Sequence, residues 1–148
     1  MSLPNEPDFA LIKKGDGADP EVFTMICGIE NVSVNKAAQT SDRYRRDCTK
    51  MGVTPVRKIK ATGKALTVTG SGAANVDNIA DFEAAFGQIA NYEIELYKYD
   101  GTDTGALMGT YFGSFMLTTD NGTFDANADS SGDITLESDG TWSYSAAA

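Results

Sequence analysis

Glu93 and Glu95 are the first residues in this chain that could do chemistry. Two carboxylates two positions apart on an extended segment share a face, and such a pair could serve as the acid and base of a hydrolase. No aromatic pocket or polar cluster stands beside them in the sequence, so a solvent-facing or channel-facing role fits them better. A second acidic group, Asp125, Asn127, Asp129, Gly132, Asp133 and Glu137, has the composition of a calcium loop. The EF-hand spacing would need Gly at Ser130 and a bidentate Glu at Leu136, so it reads as a solvated turn. Trp142 with Tyr144 could form a sugar-stacking platform, although a lone Trp is more often a packing residue. The chain contains no His, which excludes Ser-His-Asp and Cys-His catalysis and His-bound zinc. Cys27 and Cys48 read as reduced thiols. No catalytic residue, metal ligand or cofactor site is assigned.

Charge is distributed unevenly. The stretch from Asn31 to Lys64 holds nine of the twelve bases and two of the twenty-one acids, a net +7, while the remainder has three bases against nineteen acids, a net −16. Tyr44 among Arg43, Arg45 and Arg46 could bind single-stranded nucleic acid by charge and stacking. A basic arm on an acidic body also suits a second copy of the same chain, because each copy offers both halves of the contact. Arg43, Tyr44, Arg45, Arg46, Lys50, Arg57, Lys58 and Lys60 are the expected inter-subunit contacts. The overall charge of −9 argues against binding to an anionic membrane. No apolar run approaches the ~20 residues of a membrane helix, and the N-terminus lacks the pattern of a secretory signal, so the expected site of synthesis and action is a cytoplasm.

The elements that must position these residues are mostly strands. The 148 residues suit one domain, with residues 1–8 as an N-terminal arm. Phe9–Lys14 reads as a short strand. Glu21–Gly28 is apolar at nearly every position and reads as a strand covered on both sides or facing a partner. Residues 31–64 read as a long basic loop running into a strand, in which Leu66 and Val68 face one way. A helix over 77–91 is predicted by Ile79, Phe82, Phe86 and Ile89, with Asp77 or Asn78 as its cap. Tyr92, Ile94 and Leu96 alternate against Glu93 and Glu95. Ala106–Thr118 is apolar on both sides, with Gly109 and Gly113 marking a bulge or a close backbone contact. Ile134 and Leu136 alternate in a last strand. Six to eight strands and one helix predict a mainly β fold, a β-sandwich or partly closed barrel with one packed helix and a long basic loop.

The segments GKALTVTGSG, DNIADFEAAFGQI, YEIELYKY and GTYFGSFMLTTDNGTFDANADSSGDITLESDGTWSY, in this order, resemble the major tail tube protein of long-tailed bacteriophages and gene-transfer particles. The resemblance is diffuse but spans most of the chain. It implies a non-enzymatic virion subunit that forms hexameric rings, stacked into the tube through which double-stranded DNA leaves the capsid. It also implies partners at the tube ends, namely tail terminator, tape-measure and distal tail proteins, and assembly in a bacterial cytoplasm. Glu93 and Glu95 would then be candidates for the lumen, where carboxylates and hydroxyls let a duplex slide. Tube proteins of type VI secretion have a similar architecture and form one alternative. A carbohydrate-binding module presenting Trp142 and Tyr144 forms another.

Overall fold

The computed structural model describes residues 2–147. Seven strands form one antiparallel sheet in the order β2-β1-β5-β6-β7-β4-β3. They are β1 (Phe9–Gly15), β2 (Phe23–Met25), β3 (Ile29–Arg45), β4 (Val56–Ala73), β5 (Ile89–Lys98), β6 (Ala106–Thr123) and β7 (Ser131–Ala146); the helix α1 (Val76–Ala85) connects β4 to β5.

Alternation creates the core. Ile12, Leu66, Val68, Tyr92, Ile94, Phe115, Leu117, Ile134 and Leu136 are all essentially inaccessible and come from five different strands. The ladders set them on one face: Ile12 lies opposite Ile94, Val68 opposite Leu136 and Leu117 opposite Leu136. That face rolls inward. The Lys36 ammonium on β3 sits 5.0 Å above the Tyr111 ring on β6, although β7 and β4 lie between those strands. The expected mainly β fold with one packed helix holds, as a single rolled sheet that does not close into a barrel.

Gly109 and Gly113 make close backbone contacts. A side chain at Gly109 would run into Tyr144, and one at Gly113 would lie 3.1 Å from the Trp142 Cβ. β6 is apolar on both sides as expected: Phe115 and Leu117 face the core, while Met108, Phe112 and Met116 alternate with them on the outer face.

Three expectations need correction. The helix ends at Ala85 and not at residue 91, because Phe86 is already extended and Gly87 adopts φ +76°, a left-handed conformation that halts a helix. Phe86 and Ile89 therefore leave the apolar stripe and are about half exposed. Asn75, two residues earlier than expected, is the N-cap and accepts a hydrogen bond from Asp77 N–H at 3.1 Å. Asn78 instead donates to the Cys27 carbonyl at 2.6 Å, tying the helix to the β2–β3 turn.

The apolar run Glu21–Gly28 contains only the three-residue edge strand β2, paired with the end of β1. Gly28 at φ +104° turns the chain into β3, so Val22 and Met25 remain exposed at the sheet edge. The segment 31–64 is not an irregular loop. It is the hairpin of β3 and β4, joined through residues 46–55.

Candidate assembly interface

The β3–β4 hairpin has two parts. Near the body, β4 pairs with β7 from Thr67 opposite Glu137 to Ala73 opposite Ser131. Beyond Leu66, β4 keeps only β3 as a neighbour. From Val56 to Leu66 this two-stranded arm projects roughly 30 Å past the body, at ~3.3 Å per residue. Pro55 stands just before the arm, where no ladder donor is missed. Asp47 shapes the turn by accepting from the Thr49 hydroxyl at 2.7 Å and its N–H at 2.8 Å. These bonds from Thr49 hold its carboxyl below the usual range.

Register assigns the expected contacts to faces. Ser41 lies opposite Lys60, Arg43 opposite Lys58 and Arg45 opposite Val56 on one face; Asp42 lies opposite Ile59 and Tyr44 opposite Arg57 on the other. The structure thus brings Arg43, Arg45, Lys58 and Lys60 into one cationic ladder. Tyr44 and Arg57 are placed behind it beside Ile59, while Arg46 and Lys50 lie in the tip turn. All eight are exposed. Like charges directly opposite repel, and among the described residues no arm base has a carboxylate within 4 Å. Tyr44, Met51, Val53, Val56 and Ile59 are 56–70% exposed. Charge counting missed the last four of these. The available signal was Val53, Val56 and Ile59 at intervals of three in an otherwise polar run.

Unpaired backbone accompanies the arm. Among the described residues β3 has no hydrogen-bonded neighbour beyond β4, and β7 from Thr141 to Ala146 pairs only with β6, because β4 has departed. An open ladder of this kind is a template for pairing with another chain.

Glu93 and Glu95 do share the outer face, as expected. Glu95 is buried among the strands: one carboxylate oxygen meets the Lys13 ammonium at 2.5 Å and the other accepts from the Tyr97 hydroxyl at 2.9 Å. The bond to Glu95 raises the Lys13 pKa against the opposing effect of burial. Glu93 has no such partner. Burial first, then the charge of Glu95, pushes its carboxyl upward. Stability from a raised acid is present below the ordinary carboxylate range and lost as pH rises through the shifted value. At neutral pH ionised Glu93 is therefore a net cost. Glu93→Gln is expected to raise the thermal midpoint at pH 7 by roughly 1–2 °C, with the gain fading towards pH 4 in a calorimetric series.

Trp142 packs against the core, and Tyr144 tilts against Tyr111 with ring centroids 4.9 Å apart. The acidic turn is organised by its own backbone, with Asn127 N–H donating to Asp125 at 2.8 Å. Among the described residues no group of three or more His, Cys, Asp or Glu side chains is disposed to hold a metal. Cys27 and Cys48 are exposed at opposite ends of β3, on the order of 50 Å apart by strand rise. An internal disulfide needs Cα atoms within ~7 Å.

A rolled antiparallel sheet with one capping helix and a projecting hairpin has close structural counterparts. The chain superposes along nearly its whole length on the tail protein of an empty gene transfer agent particle solved with C6 symmetry: TM-score 0.65, 18% identity, 99% of this chain and 100% of that one. The fold is that of tail tube proteins. The tail tube protein of phage SPP1 matches with TM-score 0.61 at 10% identity, over 99% of this chain and 80% of that one. A sheath/tube terminator of an extracellular contractile injection system matches with TM-score 0.66 at 17% identity, over 99% of each chain. No family model and no curated protein matches the sequence.

Proposed function

We propose that this tail tube fold serves as the repeating subunit of a phage-type tail tube, with six copies to a ring and rings stacked into a channel for double-stranded DNA. The end-to-end likeness to the tail protein of the gene transfer agent carries the reading. Features of the chain agree with it. The β3 and β7 edges offer main-chain ladders to neighbouring copies, and the arm presents unneutralised cations and exposed apolar side chains to a further copy.

The outer face of β3, β4 and β7 suits a passing polyanion. Asn31, Ser33 and Asn35 lie in register with Ser71, Thr69 and Thr67, and Glu137 continues the row on β7. Glu93 lies on the same side of the sheet. Phosphates would gain no ion pairs there and release few counterions, so a duplex would pass without sticking. By the same reading the subunit resides in a virion tail assembled in a bacterial cytoplasm. Its partners are terminator, tape-measure and distal tail proteins at the tube ends.

Negative-stain microscopy of the concentrated pure protein is the direct test. Rings or tubes of uniform diameter are expected, fewer of them as salt screens the arm. A protein that sediments as a monomer at every concentration would refute the proposal.

A further inference from the structure

The rolled sheet gives the molecule two unlike poles. β3 ends and β4 begins at the arm, and the same two strands meet α1 and the β6–β7 turn at the other end. Beside α1 a groove has an apolar floor of Ile29, Ile79, Phe82 and Phe124 and an acidic rim of Asp120 and Asp133. Phe124 is 68% and Ile79 41% exposed, large apolar surfaces with nothing over them. Among the described residues no Lys or Arg lines the groove. Burial raises the Asp120 carboxyl, and the charges of Glu83 and Asp133 push it further, a sign that these acids lack a counter-charge. At the opposite pole the tip turn combines exposed Met51 and Val53 with Arg46 and Lys50, and Tyr44 and Arg45 adjoin it.

We infer that the groove beside α1 is the receptor for the arm tip of a second copy, with Met51 and Val53 over the apolar floor and Arg45, Arg46 and Lys50 against the acidic rim. This rests on the tube reading and deepens it, by naming the surface through which one copy holds the next. Charge selects the occupant. An apolar groove whose charged lining residues, among those described, are all acids rejects acidic segments, and the arm is the one strongly basic part of this chain. A contact between opposite poles is heterologous, so it repeats along an axis instead of closing a pair. Each contact is small, but a ring of them engages together and gains by multivalency.

The two cysteines provide a native probe. Cys27 lines the groove and Cys48 lies in the tip turn, both exposed. Docking brings Cys48 of one copy to Cys27 of another, a proximity that one chain cannot supply. A short bis-maleimide added to assembled protein is expected to give a ladder of dimers, trimers and longer chains on a denaturing gel, with Cys27 joined to Cys48 in the linked peptides. Dispersed protein should give at least tenfold less. Cys27→Ser and Cys48→Ser should each abolish the ladder, because each removes one of the two thiols that the linker joins. Arg45→Glu with Arg46→Glu should abolish it too, and adding Asp133→Lys should restore it. Tubes of the parent protein that give no ladder, or a ladder surviving Cys27→Ser, would overturn this joint alone. A chain that never assembles would remove the tube reading and the joint with it.

Discussion

Replacing Arg43, Arg45 and Arg46 together with glutamate is expected to abolish tube formation and leave the thermal midpoint of the subunit within about 2 °C of the parent. The two halves of this expectation have separate causes. All three side chains are exposed, and their contacts within the subunit are few, so folding loses little. Arg43 even stands opposite Lys58, where a glutamate would replace repulsion with attraction. Assembly loses far more. Three reversals cut the net charge of residues 31–64 from +7 to +1 and set three carboxylates where the acidic pole would meet cations, and like charges set together at an interface cost several kcal/mol. No tubes should form at the concentration where the parent assembles, or at tenfold above it, as read by sedimentation and microscopy at low salt. Tubes at an unchanged concentration would show that the arm is not the charged contact.

Phe115→Ala is expected to be the most damaging single change in the core. Phe115 is fully buried in the middle of β6, and its ring meets Tyr92 edge-on with centroids 6.2 Å apart. Truncation removes that aromatic contact and leaves a cavity between β5 and β7, whose residues cannot collapse into it without breaking ladder bonds. Such changes cost about 3–5 kcal/mol, or a fall of roughly 10–15 °C in a subunit of this size. The measurement is cleanest in the arm-reversed variant, where folding is not coupled to assembly. A fall under 3 °C would mean that the core repacks around the gap.

Burial of Tyr92 carries a pH signature in the same core. Its phenol is pushed up to about 12 by burial. The subunit should therefore lose stability as pH rises from about 10 towards 12, because only the unfolded chain ionises this group readily.

By itself, the sequence determined the parts of the molecule in which one face is buried. Leu66 with Val68, Tyr92 with Ile94 and Ile134 with Leu136 could be assigned to a core because burial on one side of a strand imposes a period of two. The Gly109 and Gly113 contacts were anticipated for a related reason: only a residue without a side chain tolerates Tyr144 or Trp142 laid across it. The bases of the candidate interface were equally visible, since charge can be counted without knowing the fold.

Tertiary structure decided the rest. The arm has water on both faces, so no burial pattern marks its strands; Val32 and Val34 at its root pack against the core, but beyond them backbone pairing alone makes the segment a hairpin instead of a loop. Ile79, Phe82, Phe86 and Ile89 keep helical spacing past the helix end, yet Gly87 stops the helix, a backbone property that apolar periodicity does not register. Glu95 has the alternation of a surface residue, and only the approach of Lys13 and Tyr97 from β1 and β5 takes it out of water. The groove beside α1 is assembled from four separate parts of the chain, and Cys27 and Cys48 acquire their placement at opposite poles from the length of β3. Local sequence records which face a residue turns to the core. It does not record which distant segments meet.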